Sequence, residues 1–145
     1  MTVPAPTQSR PAQVLIVEDN NTDIYFIKEA LRHSWLPMHF AVAEDGSRAL
    51  DYLYRRGDFS DSPYPDLILL DLNLPGKNGW EVLEEIRLNP AFTAVPVVIL
   101  TGSRDDADEK LAREKKADLY VVKPMNLSNF PIIVKAIERL LMRKF

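Results

Sequence analysis

Five short apolar runs, each too short for a helix and each followed by a segment with helical spacing, constrain this chain more than any other feature. "QVLIV" (13–17), "HFAVAE" (39–44), "DLILL" (66–70), "VPVVIL" (95–100) and "DLYVV" (118–122) read as strands. Uninterrupted apolar runs of this kind, bounded by acids and turn residues, are those of strands buried on both faces. The segments that follow them read as helices: "NNTDIYFIKEALRHS", "SRALDYLY", "GWEVLEEIRLN", "DDADEKLAREKK" and "SNFPIIVKAIERLLMRKF". In the first, Asn and Thr cap the start, Ile24, Ile27 and Leu31 share a face, and Pro37 closes the segment; Pro90 stops the third. The fourth offers only Ala107, Leu111 and Ala112 for burial. In the last, Phe130, Ile133, Val134, Ile137, Leu140 and Leu141 make one face for a sheet. Pro131 falls in its first turn if Ser128 is the cap, where a missing N–H costs little. Five strands alternating with five helices predict an α/β fold with a doubly wound five-stranded parallel sheet. The proline-rich residues 1–12 are expected to be a disordered lead-in, and residues 13–145 one domain.

Composition narrows what such a domain can do. A net charge of -3 and a pI near 5.4 provide no basic footprint for nucleic acid or an anionic membrane. No apolar run approaches the roughly 18 residues of a membrane span, and the N-terminus lacks the pattern of a signal peptide, so the expected location is the cytoplasm. With no cysteine, disulfides, thiol catalysis and Cys-ligated zinc are excluded, and His33 and His39 are the only imidazoles. Any metal is expected to be held by oxygen.

In a doubly wound sheet ligands collect beyond the carboxyl ends of the strands, where strand order reverses. The first strand runs into Glu18 and Asp19, the third into Asp71, the fourth into Thr101 and the fifth into Lys123. If the first and third strands are neighbours, three carboxylates meet at one edge, faced by a hydroxyl and an ammonium. Three anions cannot share a small site without a cation. Singly, each residue also fits an ordinary role: Glu18 and Asp19 as helix N-terminal acids, Thr101 as a β-branched strand residue, Lys123 as a surface lysine, Tyr120 as core. The combination is what points to a site.

These motifs, "ED" at 18–19, "DLNLPGKNG" with Asp71, Pro75 and Gly79, "TG" at Thr101 and "KP" at 123–124, resemble the receiver domains of two-component response regulators over about residues 13–142. The stretch "YRRGDFSDSPYPDLILLDLNLPGKNGWEVLEEIR", with its long connection before the third strand, further resembles the single-domain receivers that work with bacterial phytochrome kinases. The resemblance implies a flavodoxin-like sheet of order 2-1-3-4-5. It also implies Mg²⁺ bound by Asp19 and Asp71 directly, by Glu18 through water and by the backbone carbonyl of Asn73. Asp71 would be the nucleophile that takes a phosphoryl group from a phosphohistidine of a sensor histidine kinase, with Thr101 and Lys123 supporting it. Thr101 and Tyr120 would form the switch, and Pro124 would follow a cis Lys123–Pro124 bond. Such a protein catalyses only its own phosphorylation and dephosphorylation and is not otherwise an enzyme.

Two other readings compete. A Mg²⁺-dependent phosphatase with an aspartyl phosphate usually carries a second Asp two residues on, where this chain has Asn73. A phosphate-independent pseudo-receiver usually lacks an acid, the Thr or the Lys, and none is lacking here. Because the sequence carries no output domain after the last helix, the signal is expected to pass to a downstream protein or through a homodimer. The dimer rests on apolar residues off the sheet-facing stripe: Ile132, Ala136, Met142 and Phe145.

Overall fold

The computed structural model of the protein describes residues 5–123 and 128–143. In chain order the elements are β1 (Ala12–Val17), α1 (Asn21–Arg32), β2 (Met38–Ala43), α2 (Gly46–Leu53), a 3-10 turn (Gly57–Phe59), β3 (Leu67–Leu70), α3 (Gly79–Leu88), β4 (Val97–Thr101), α4 (Asp106–Glu114), β5 (Leu119–Val122) and α5 (Phe130–Met142). All strand pairs are parallel and the order is β2-β1-β3-β4-β5, the flavodoxin-like arrangement expected.

Strand side chains alternate between the two faces of the sheet, so each apolar run feeds two cores. Leu15, Val17, Ile68, Leu70, Val97 and Ile99 pack against α2, α3 and Ala112 of α4. Val14, Ile16, Leu67, Leu69, Val98 and Leu100 pack against α1 and α5. The inner strands β3 and β4 are buried throughout, which is why their sequences show no polar alternation. The edge strands β2 and β5 are mostly half-buried.

Several boundaries move because ladder pairing, not local pattern, ends a strand. β1 begins at Ala12, inside the expected lead-in, since Ala12 pairs with Met38 and its N–H donates to the Pro37 carbonyl at 2.9 Å. For the same reason β2 starts at Met38 and leaves out Glu44. Upstream, Thr7 and Arg10 exchange backbone hydrogen bonds of 3.0 Å in a local turn. α2 starts at Gly46 because the Asp45 carboxylate accepts from the Arg48 N–H at 2.7 Å. The N-cap of α5 is Asn129 rather than Ser128, and Pro131 still lies in the first turn. α4 buries even less than its sequence offers: Ala112 is buried, Leu111 half-buried and Ala107 exposed. The helix covers an edge strand that is itself half-buried, so there is little apolar sheet beneath it. Pro124, with its preceding peptide bond, and Phe145 lie outside the described residues.

The long connection before β3 is fastened rather than loose. The Ser62 hydroxyl donates to the Tyr52 carbonyl at 2.7 Å, Phe59 meets Tyr52 edge-on at 5.5 Å, and Tyr64 stacks on Phe92 at 5.6 Å.

Candidate functional site

Register alone brings four strand ends to one edge of the sheet. Val17 pairs with Leu70, Leu70 with Ile99, and Thr101 with Val122. The residues just beyond stay in line: the Asp71 N–H donates to Val17 O at 3.0 Å, and the Lys123 N–H to Thr101 O at 2.7 Å. Glu18 and Asp71 follow strands with no solvent face and inherit that burial, being 1% and 6% exposed; Thr101 is fully buried. Asp19, one residue further along, is exposed.

Glu18, Asp19 and Asp71 each offer a carboxylate oxygen, all within 4.8 Å of one another. One oxygen of Glu18 accepts from the Asn20 N–H at 3.2 Å, and one of Asp71 from the Asn73 N–H at 3.1 Å. The turn after Asp71 therefore wraps back toward the carboxylate, with the Asn73 side chain exposed. Opposite the acids, the Lys123 ammonium donates to Glu18 at 2.5 Å, Asp23 at 2.8 Å and Asp71 at 3.3 Å. Asp23 has no counterpart among the site residues expected from sequence. As an acid in the first turn of a helix capped by Asn20, it looks like a response to the helix dipole, and its pairing with Lys123 depends on a contact 100 residues away.

One ammonium does not balance this charge. Burial pushes the Glu18 carboxyl up from its usual 4.5 to about 7; Lys123 opposes the shift and the charge of Asp71 adds to it. Burial alone would lower the Lys123 pKa, but its bonds to Asp23 and Glu18 and the charge of Asp71 win, and the ammonium is held above its usual value. An all-oxygen cluster with excess buried negative charge fits a hard divalent cation, which would take oxygens of Asp19 and Asp71, with Glu18 close by.

A measurable pH dependence follows. Since the folded state holds the Glu18 proton more tightly than the unfolded chain, this group's stabilisation is complete below about pH 4.5 and is lost as pH rises through about 7. Between pH 5 and pH 8 the loss is on the order of 2 kcal/mol. Urea unfolding in EDTA at pH 5 and pH 8 should show it, Glu18→Gln should remove it, and millimolar Mg²⁺ at pH 8 should restore stability to the parent alone or to it preferentially. Equal pH dependence in the parent and Glu18→Gln would show that Glu18 is not the group responsible.

Two glycines let the turn that carries the site close up. A Cβ on Gly79 would lie 2.3 Å from the Asp71 carbonyl oxygen and 2.6 Å from Leu72 Cα. A Cβ on Gly46 would lie 2.1 Å from the Lys77 carbonyl oxygen. The start of α3 thus abuts the backbone of Asp71, and the start of α2 abuts the turn between β3 and α3.

Thr101 and Tyr120 are joined to each other rather than to the acids. The Thr101 hydroxyl accepts from the Ser103 N–H at 3.3 Å, the Tyr120 hydroxyl donates to the Ser103 carbonyl at 3.1 Å, and the Ser103 hydroxyl donates to Asp108 of α4 at 2.6 Å. Burial raises the Tyr120 pKa, so its hydroxyl keeps the proton it donates. Ser103, two residues beyond Thr101, is the link between them and α4.

A parallel sheet whose strand ends gather acids, a threonine and a lysine in this order defines a receiver, and the family model of the response regulator receiver domain matches residues 14–135. The chain belongs to that family. Response regulator Rcp1 of Synechocystis sp. is 39% identical to it over 128 residues, covering 88% of this chain and 87% of Rcp1. The crystal structure of the phosphorylated cyanobacterial phytochrome response regulator RcpA aligns with a TM-score of 0.80 at 40% identity, over 91% of this chain and 94% of RcpA. The Mn²⁺-bound form of Rcp1 aligns with a TM-score of 0.79 at 39% identity, over 88% of this chain and 92% of that one. Among the described residues no helix is long and apolar enough to cross a membrane.

Proposed function

We propose that this receiver works in the cytoplasm as the phosphoacceptor of a phytochrome-type sensor histidine kinase and that Asp71 carries the phosphoryl group. The observation that supports this most is the meeting of Glu18, Asp19 and Asp71 within 4.8 Å beside the Lys123 ammonium. A carboxylate oxygen of Asp71 attacks the phosphorus of a phosphohistidine; the P–N bond breaks and its electron pair returns to the imidazole nitrogen. Mg²⁺, when bound by Asp19, Asp71 and the Asn73 carbonyl with Glu18 behind a water, supplies charge neutralisation for the transferring group. Lys123 neutralises a second phosphoryl oxygen. Burial of Glu18 and Asp71 keeps bulk water from screening these charges.

The response runs through the Ser103 link. Thr101 turns its hydroxyl to the phosphoryl group, Ser103 follows, and the Tyr120 and Asp108 bonds that hold the start of α4 are remade. α4, with one buried side chain, is weakly held and suits a moving element. Incubation with acetyl phosphate and Mg²⁺ followed by intact mass measurement tests the reading: one phosphoryl addition is expected. No addition, or turnover of added phosphomonoesters, overturns it.

Transmission to a downstream protein is read as passing through a homodimer. Ile132 is 72% exposed on α5, Met142 lies exposed on the same helix, and Ala136 is half-buried. Replacing Ile132 with Glu is expected to turn a sedimenting dimer into a species near 16.5 kDa. A parent that sediments as a monomer at micromolar concentration, or a dimer untouched by the substitution, would reject this surface.

A further inference from the structure

We infer that Asp23 is a positioning residue that holds Lys123 in the resting state and gives it up when a phosphoryl group arrives. This rests on the phosphoacceptor reading of Asp71. An ammonium has three N–H donors, and Lys123 spends all three, on Glu18 at 2.5 Å, Asp23 at 2.8 Å and Asp71 at 3.3 Å. To meet an incoming phosphoryl oxygen it must break one of these bonds. Asp71 is the group being modified, and its bond is already the longest. The Glu18 side chain is 2% exposed, so releasing it would leave a buried carboxyl that water cannot reach, either stranded as an anion or obliged to take up a proton. The Asp23 side chain is 35% exposed and can be hydrated as soon as the lysine leaves. Of the two acids that are not themselves modified, Asp23 is therefore the one that can be exchanged at lower cost.

The position of Asp23 is itself fixed. Its N–H is bonded to the Asn20 side chain at 2.9 Å, which locks the first turn of α1 and aims the carboxylate at the strand ends. The same carboxylate competes with the phosphoryl group for the lysine. It sets how readily the loaded state forms without touching the reacting atoms.

The test uses beryllium fluoride with MgCl₂ as the phosphoryl probe, its affinity followed by tryptophan fluorescence, in the parent, Asp23→Asn and Asp23→Glu. Lysine ¹⁵Nζ resonances are recorded alongside. Asp23→Asn keeps the shape of the first turn and weakens the competitor, so the probe should bind about threefold tighter, the scale of a part-exposed ion pair. The Lys123 resonance of the probe-free variant should lie part of the way toward its position in the loaded parent, and Asp23→Glu should return both readouts toward the parent. Unchanged or weaker probe binding in Asp23→Asn, or a Lys123 resonance unmoved by it, overturns the inference while leaving Asp71 as phosphoacceptor. A parent that does not take up the probe at all overturns the Asp71 reading and this inference with it.

Discussion

Asp71→Asn should take up no phosphoryl group from acetyl phosphate in the presence of Mg²⁺, while the parent gains one. The amide has the size of the carboxylate but neither its charge nor its nucleophilic oxygen, so the loss should be complete rather than graded. Folding should not suffer. Asp71 lies beside Glu18, whose proton it helps to hold, and removing one of two adjacent buried anions relieves repulsion in the metal-free protein. At pH 8 in EDTA the variant should therefore unfold at a higher urea concentration than the parent, by about 1 kcal/mol, and the pH dependence contributed by Glu18 should shrink. A variant that still acquires a phosphoryl group at a rate near the parent's would remove Asp71 from the centre of the site.

Gly79→Ala should be the most damaging single-methyl addition in the turn beyond β3. The new carbon would fall 2.3 Å from the Asp71 carbonyl oxygen and 2.6 Å from Leu72 Cα, and both obstacles are backbone, which has no rotamer to turn aside. Either α3 moves away from the strand end, weakening the bond from the Gly79 N–H to the Leu72 carbonyl at 3.1 Å, or Asp71 is displaced. Overpacking of this kind costs about 1–3 kcal/mol, and phosphoryl uptake should fall along with stability. Gly102→Ala provides the comparison, since no atom beyond its immediate chain neighbours lies within 4 Å of its added carbon, and it should unfold within about 0.5 kcal/mol of the parent. Equal midpoints for the two variants would show that the approach of α3 to Asp71 is not tight.

Much of this was legible in the order of residues, for physical reasons that differ from element to element. β3 was clear because a strand buried on both faces has no choice but to be apolar along its length, so "LILL" announces itself. α5 was clear because its stripe is wide: Phe130, Ile133, Val134, Ile137 and Leu141 are all buried, with Leu140 half-buried beside them. Strand ends were off by one at Ala12 and Met38, since a ladder partner across the sheet decides them. The cap of α5 is Asn129 rather than Ser128, and both residue types suit the role, so local residue preference does not choose between them.

Glu18, Asp19, Asp71, Thr101 and Lys123 could be singled out from sequence because each directly follows or ends an apolar run, and parallel strands deliver all their carboxyl ends to the same edge. Sequence by itself determined the sheet, its two cores and the residue types at its functional edge. Tertiary structure alone decided which charges meet. Asp23 pairs with Lys123, Ser103 joins Thr101 to Tyr120 and to α4, and Gly79 seats α3 against Asp71. Periodicity records only which side of an element faces the core. A hydrogen bond between side chains a hundred residues apart is set by strand register and by the angle at which a helix enters, and neither is written in any local stretch of the chain.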